Sequence, residues 1–410
     1  MLTAGFAFSL PISNAATVFF ESLLILMWLV AGNWKIKFVD LIRNPINLPL
    51  TLFLTYTLIS VLWANNINYA LEYIGKYRHF LVVPAIIYFI TPKHARMILI
   101  AFITGNFVTA LISFGAANEW FLIGRATPHD PSPFRNYIDF NIFLALTTSI
   151  LLTFAIYTQD KFYKILLGLL AAFTAIIIFK NLGRTGQIAL LVSLSAIFFI
   201  QYRRNILLLA LTSILVIGST FLAYKKIPQF QTRIEQGQQD ISRIFQSDFT
   251  GSIGSRIALW FIGSKLATSH PLFGYGIGDE RAAQKAYLET TSDFSDNTRK
   301  HLMRFSDNHN AFLTLLLQGG LVGLGLILWL LYRIYRLPTT SNAEFHLIKH
   351  QFLIIFLIWS LGGNSFHLLA SLTVFSLFTG LLAVVAQDTE TSALPGQKNK
   401  NSSLSSSAWR

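Results

Sequence analysis

Cysteine is absent from the 410 residues. The chain therefore has neither disulfides nor a thiolate nucleophile, and its redox compartment cannot be read from its thiols. Charge is scarce as well: 12% of residues are charged, roughly half the share usual in a soluble protein. No segment alternates with period two, which argues against an outer-membrane barrel. No D-x-D occurs, and no His/carboxylate spacing suits a metal. Asp279 and Glu280 are adjacent and cannot share one helix face. Neither a metal site nor a cofactor is therefore expected. There is no G-x-S-x-G elbow for a serine nucleophile. The glycine-rich run HPLFGYGIGDE at 270–280 lacks the G-K-[ST] ending of a P-loop. It reads instead as a tight loop fixing the helical run behind it against the spans. No Lys or Arg precedes Lys35, so a cleaved signal peptide with a basic start is not expected. No internal repeat is visible.

What the chain does have is apolar length. Hydrophobic residues make up 53% of it, and stretches of about 20 residues, enough to cross about 30 Å of hydrocarbon, recur throughout. This is the pattern of an all-α, polytopic integral membrane protein. Spans are expected at roughly 14–31, 46–64, 77–91, 95–115, 139–157, 162–180, 186–202, 205–224, 310–335, 349–363 and 366–386. Pro11 and Asn14 split the apolar start into a short first piece and a second one, giving about twelve transmembrane helices. The net charge of +13 sits mostly in short connections, not in a nucleic-acid-binding motif. Lys35, Lys37, Arg43, Lys93, Arg96, Lys161, Lys164, Arg203, Arg204, Arg333 and Arg336 fall on one side by alternation, which marks that side as cytoplasmic.

The opposite side carries the polar mass. The organisation expected is an N-terminal transmembrane bundle over 1–224, a large periplasmic helical loop over 225–308, C-terminal transmembrane helices over 309–386 and a disordered cytoplasmic tail over 387–410. A loop as long as the second segment is functional or disordered. Phe230, Ile234, Ile241, Ile244 and Phe245 recur near helical spacing there, as in an amphipathic helix on a membrane surface. SRIALWFIGSKLATS, 255–269, is a second helical run.

Three residues on that side could do chemistry. Arg184 lies in NLGRTGQ, a very short turn between spans. It is either an interfacial anchor that snorkels or a ligand for a membrane-embedded phosphate. Gly183 and Gly186 leave room for another group to approach the backbone. Arg256 comes early in the second loop helix, where the macrodipole favours an anion; a solvated surface Arg would look the same. His309 precedes a long apolar run. With Asp307 or Asn308 capping that helix, the imidazole would sit in its first turn and be held neutral by the dipole, able to accept a proton. A His that merely caps or packs is the alternative. Lys76 and Arg78 are further candidates for contact with an anionic lipid, as substrate or as headgroup.

The turn GRTGQ, the run SR-x3-W followed by HPLFGYGIG, and HNAFLTLLLQGGLVGL together resemble the O-antigen ligase/polymerase superfamily across residues about 180–325. GKYRH at 75–79 adds to the likeness. In that family an Arg at the short turn, an Arg in the large loop and a His before the next span are functional, matching Arg184, Arg256 and His309. The resemblance implies a GT-C-like glycosyltransferase of the Gram-negative inner membrane, its active site on the periplasmic side. Its donor would be an undecaprenyl-pyrophosphate-linked glycan and its acceptor lipid A-core, with membrane lipids around it and no nucleic acid partner. Chain length and a short tail favour the ligase branch over the polymerases and the protein O-oligosaccharyltransferases. A lipid-linked sugar transporter is the rival from another class.

Overall fold

The computed structural model describes residues 1–340 and 342–393. Of the tail expected to be disordered, 387–393 instead continue the last helix, and from residue 394 on it lies outside the described residues. Those residues are helical and carry no strand. Short α1 (Leu2–Ser9) turns back into α2 (Asn14–Val30), which bends by 113° into α3 (Trp34–Arg43). Then come α4 (Asn47–Ile59), α5 (Ile67–Tyr77), α6 (Val82–Phe89), α7 (Pro92–Ala117), α8 (Tyr137–Tyr157), α9 (Lys161–Lys180), α10 (Arg184–Tyr202) and α11 (Ile206–Lys226). Four helices, α12 (Pro228–Phe245), α13 (Ser252–Ala267), α14 (Glu280–Thr290) and α15 (Asp296–Leu302), form the long insertion. The chain closes with α16 (Ala311–Tyr335), α17 (Ala343–Gly362) and α18 (Leu369–Ala393).

Eight of these helices are long and apolar enough to cross a bilayer, nine if the bent α2–α3 pair counts as one span. Every expected span coincides with helix, and the count of about twelve includes the shorter pieces. α1 has 8 residues, about 12 Å at 1.5 Å per residue, and cannot cross alone. It packs instead against α7, where a Cβ on Gly105 would lie 2.4 Å from the Phe8 carbonyl oxygen. The bend after α2 is held by Lys37, whose ammonium donates to the Trp28 carbonyl and faces the rings of Trp28, Trp34 and Tyr88.

In lipid, apolar side chains gain little by leaving their surroundings, so close packing and interhelical hydrogen bonds decide which helices associate. α18 is the central column, with 94% of its apolar window buried. Phe352 and Phe378 stack at 5.0 Å between α17 and α18, Phe80 and Phe366 pack edge-on around Phe375, and Phe356 lies tilted against it. Around α8, Thr148 meets Thr174 at 2.7 Å, Ser149 meets Ser193 at 3.0 Å, and Gln351 donates to Thr153 at 2.6 Å. α11 is the opposite case: only 6% of its window is buried.

The two ends of the bundle differ. At one, Arg96 lies over the Phe154 ring and within 3.8 Å of Glu344, and Tyr157 donates to Gln201. This basic end gathers the short connections rich in Lys and Arg. The other, the loop end, carries α12–α15. There α16 breaks at Gly320 (φ 60°, ψ −161°), a conformation essentially restricted to glycine. The strap 270–278 runs through this break. Tyr275 N–H donates to Leu317 O, Gly276 N–H to Gln318 O, Leu321 N–H to Pro271 O and Val322 N–H to Leu272 O. The groups freed by the kink are thus satisfied by the strap, as buried backbone requires. The expected contact to the second loop helix is present as Tyr275 Oη donating to Leu266 O. The strap also reaches the start of α5, through Asp279 accepting from the N–H groups of Asn65 and Asn66.

Candidate functional site

The turn between α9 and α10 is rigid before any ligand arrives. Asn141 of α8 donates to the carbonyls of Ile178 and Gly183, Gln187 donates to Asn181 O, and Asn181 pairs with Ser132. Gly183 and Gly186 do admit a close neighbour, and that neighbour is α8. A Cβ on Gly183 would meet Tyr137 O at 2.6 Å, and one on Gly186 would meet Asn141 Cβ at 2.4 Å. Arg184, the first residue of α10, is thereby presented toward α12.

α12 meets it with a polar stripe at i, i+3 and i+7. Arg233 Nε donates to Leu182 O at 2.9 Å, and Arg233 Nη1 donates to Gln236 Oε1 at 2.8 Å. Arg184 Nη2 shares Gln236 Oε1 at 3.4 Å, and its Nη1 lies 3.7 Å from Asp240 Oδ2. Two Arg184 nitrogens, Nε and Nη1, are buried without a hydrogen-bond acceptor. Asp240 is itself buried and accepts the N–H of Ile253 at the start of α13. The helix end expected to favour an anion therefore already holds a carboxylate.

Arg256 is the fifth residue of α13, just past its first turn. It lies within electrostatic reach of Arg233, Arg184 and His309. Burial lowers its pKa from the usual guanidinium value, with Tyr137 opposing and Arg233 adding to the effect. Concentrating three guanidinium groups in one partly desolvated place is unfavourable unless an anion joins them.

His309 differs from expectation in its local structure. Asn310 caps α16, accepting from the N–H groups of Phe312 and Leu313 at 3.1 Å, so neither Asp307 nor Asn308 does. His309 stands outside the helix, in a left-handed conformation with φ 47°. Asp307 Oδ1 accepts its backbone N–H at 2.7 Å and lies 3.2 Å from its Nδ1. That carboxylate favours the tautomer with hydrogen on Nδ1, leaving the Nε2 lone pair free. Burial is the main cause that lowers the His309 pKa from 6.5; Asp307 opposes and Arg256 reinforces. The imidazole is held neutral by burial and a nearby guanidinium instead of by the helix dipole. Its side chain keeps 33% exposure, so it remains reachable.

The structure thus gathers Arg184, Arg256 and His309 at the loop end. Lys76 and Arg78 are not joined to this group by any contact among the described residues. Lys76 pairs with Glu72 at 2.9 Å and lies over the Tyr73 ring; Arg78 donates to Gly75 O and edges a cavity of about 250 Å³ between α4 and α5. Arg233, Gln236 and Asp240 were missed by sequence reasoning. Their common stripe flanking the apolar face of α12 was the available signal. Also missed was a buried polar cluster behind His309. Tyr77 Oη and Gln318 Oε1 approach His367 Nε2 at 2.8 and 3.0 Å, and Glu280 is fully enclosed beside Tyr73 and Gln318. Its carboxyl, pushed up to about 7 by burial, makes no well-formed hydrogen bond.

Residues 169–328 match the family model described as O-antigen ligase. Over that span the chain is similar to the O-antigen ligase/polymerase superfamily. The matched span holds Arg184, Arg233, Arg256 and His309 and ends within α16. A search of curated proteins finds no match. The match supports, for this multi-pass membrane protein, a ligase- or polymerase-type role in O-antigen or glycan assembly. The corresponding activity is glycosyltransferase-like, and the substrates are lipid-linked glycans.

Proposed function

We propose that the protein is an O-antigen ligase of the Gram-negative inner membrane. It would transfer a glycan from undecaprenyl pyrophosphate to a sugar hydroxyl of lipid A-core on the periplasmic face. The observation that carries this reading is the convergence of Arg184, two of whose buried nitrogens lack an acceptor, with Arg256 and one neutral, reachable histidine, all inside the matched domain.

The chemistry needs two things. As the acceptor oxygen forms its bond to the anomeric carbon, the bond from that carbon to the diphosphate oxygen breaks, and the electron pair leaves with the diphosphate. Arg184 and Arg256 meet this growing charge, a task for preorganised donors that requires no metal. Arg233 braces the same turn through Leu182. The hydroxyl proton passes to His309 Nε2, with Asp307 stabilising the imidazolium that forms. With no carboxylate nucleophile proposed, displacement is direct and inverts the anomeric centre. The fold is then GT-C-like, with the bundle 1–224 and helices 309–386 framing the loop 225–308.

A deletion strain carrying His309→Ala at normal protein level tests this on a lipopolysaccharide gel. Bare core with lipid-linked polymer accumulating is expected. Core capped by a single repeat would assign the chain to the polymerases, an unmodified pilin beside intact lipopolysaccharide would point to protein glycosylation, and undiminished ladders would remove His309 from catalysis.

A further inference from the structure

The imidazole of His309 is held on a second side, away from Asp307. The ring of Phe305 meets it edge-on, with centroids 5.1 Å apart and planes at 79°. Phe305 in turn meets His301, in the last turn of α15, at 5.4 Å and 71°. His301 Nε2 lies 3.0 Å from Ser255 Oγ, and Ser255 is buried on α13. Ser255 Oγ shares its one hydrogen between the carbonyls of Gly251 and Phe249, at 2.8 and 3.1 Å. It can therefore only accept from His301, which fixes a hydrogen of that ring on Nε2.

These contacts form one line across the insertion. It starts at Ser255, whose chain neighbour is Arg256, and ends at His309. Phe305 is firmly seated in it, packed against the apolar cluster that includes Leu259 and Ile262 of α13, Leu302 of α15 and Leu317 of α16. The ring that flanks the imidazole is thus anchored in a core shared by the helix carrying Arg256 and the helix that follows His309. His309 itself stands outside α16 on a left-handed backbone. Asp307 holds its Nδ1 edge at 3.2 Å, and a hydrogen bond at one edge leaves the ring free to swing about that contact. A flat wall removes the freedom, and Phe305 supplies it.

We infer that Phe305 is a positioning residue for His309: braced by His301 and Ser255, it sets the plane of the imidazole and keeps Nε2 in a fixed place relative to Arg256. The inference rests on reading His309 as the base. Phe305 acts through the imidazole alone and touches neither donor nor acceptor. Such positioning matters because a displacement of about 1 Å can cost about 10²-fold in rate. The ring also adds to the burial that lowers the His309 pKa, alongside Arg256, which lowers it too, and Asp307, which raises it. Removing Phe305 lets water reach the imidazole, so the pKa should rise toward the usual 6.5.

Transfer by the purified protein in detergent, followed against pH, tests this in three variants. Phe305→Ala should lower kcat by about 10–100-fold at nearly unchanged donor KM, and its acid limb should move up. Phe305→Leu keeps the apolar cover but offers no flat wall, so kcat should fall while the limb stays. Phe305→Tyr keeps the ring and should stay close to wild type in both. Should Phe305→Ala not accumulate, Phe305→Leu decides. Wild-type kcat in Phe305→Leu overturns the positioning role. A loss confined to donor KM, with kcat kept, marks Phe305 as a support for α13 alone and overturns it too. Hydrogen–deuterium exchange at the imidazole C2 of His309, read by mass spectrometry across pH, reports its titration without turnover. An upward shift in Phe305→Ala supports the hold on His309 even where His309→Ala keeps activity and the base reading falls. An unmoved titration overturns it.

Discussion

The environment of His309 leads to a prediction about pH. A general base works only when unprotonated, so activity falls as pH drops through its pKa. Burial and Arg256 lower that pKa from 6.5, so the acid limb of kcat/KM should lie below pH 6.5. Asp307 acts in the other direction, raising it from 3.2 Å away. In Asp307→Asn the raising charge is gone while the side chain keeps its shape. The acid limb should move further down, not up. The rate on the plateau should fall as well, because Nδ1–H loses a charged acceptor and the imidazolium loses its stabilising neighbour. Removing the base altogether, as in His309→Ala, should cost about 10²–10⁴-fold on the plateau, or about 3–5 kcal/mol of transition-state stabilisation. Asp307→Asn should fall between that and wild type. The assay is transfer by purified protein in detergent, with kcat/KM followed from pH 5 to 9 at about constant ionic strength. An acid limb that stays put or rises in Asp307→Asn would refute the proposed coupling, and His309→Ala at the wild-type plateau would refute the base.

Arg184→Lys and Arg256→Lys keep charge but lose the fork; donor KM should rise roughly 10–100-fold in each, the worth of a charge-assisted hydrogen bond, and wild-type KM would mean simple anchoring. Asp240→Asn withdraws the counter-charge of Arg184 and the carboxylate at the start of α13, so the midpoint of thermal unfolding should drop by the equivalent of about 1 kcal/mol; an unmoved midpoint would deny it that structural role. Glu280 is a carboxyl raised from 4.5 to about 7 in the folded chain. Its protonated form favours folding, so its stabilising contribution is full below pH 4.5 and is lost as pH rises through 7, about 3 kcal/mol in all. Glu280→Gln should flatten that slope in thermal scans between pH 5 and 8, and an identical slope would count against the assignment. Gly320→Ala forces a Cβ to within 2.2 Å of the Leu272 carbonyl at φ 60°. It should cost about 1–3 kcal/mol from backbone strain alone and expose the strap to protease; equal protease resistance would argue against the lock.

Much of this was legible in the linear pattern because membrane spans obey a one-dimensional rule. Their length is set by the bilayer and their polarity by composition, so the spans from α7 to α11 and from α16 to α18 fall where hydropathy puts them. The strap was legible as a tight loop from its glycines. Its threading through the α16 kink was not, since local sequence does not reveal which backbone groups a break leaves open. Asn310 displaced Asp307 and Asn308 as the helix cap for a related reason: several Asx residues in a row can all cap, and only packing selects one.

The amino-acid sequence by itself set the class of the molecule and where its apolar helices fall, and picked out Arg184, Arg256 and His309 as candidates, because periodicity, charge bias and short motifs are local properties. Tertiary structure alone decided that these side chains meet, that Arg233, Gln236 and Asp240 join Arg184, and that burial beside a guanidinium keeps His309 neutral. Those outcomes depend on interactions between residues about 50 to 70 positions apart in the chain. Such contacts are set by which helix faces pack closely enough to exclude lipid and satisfy one another's polar groups.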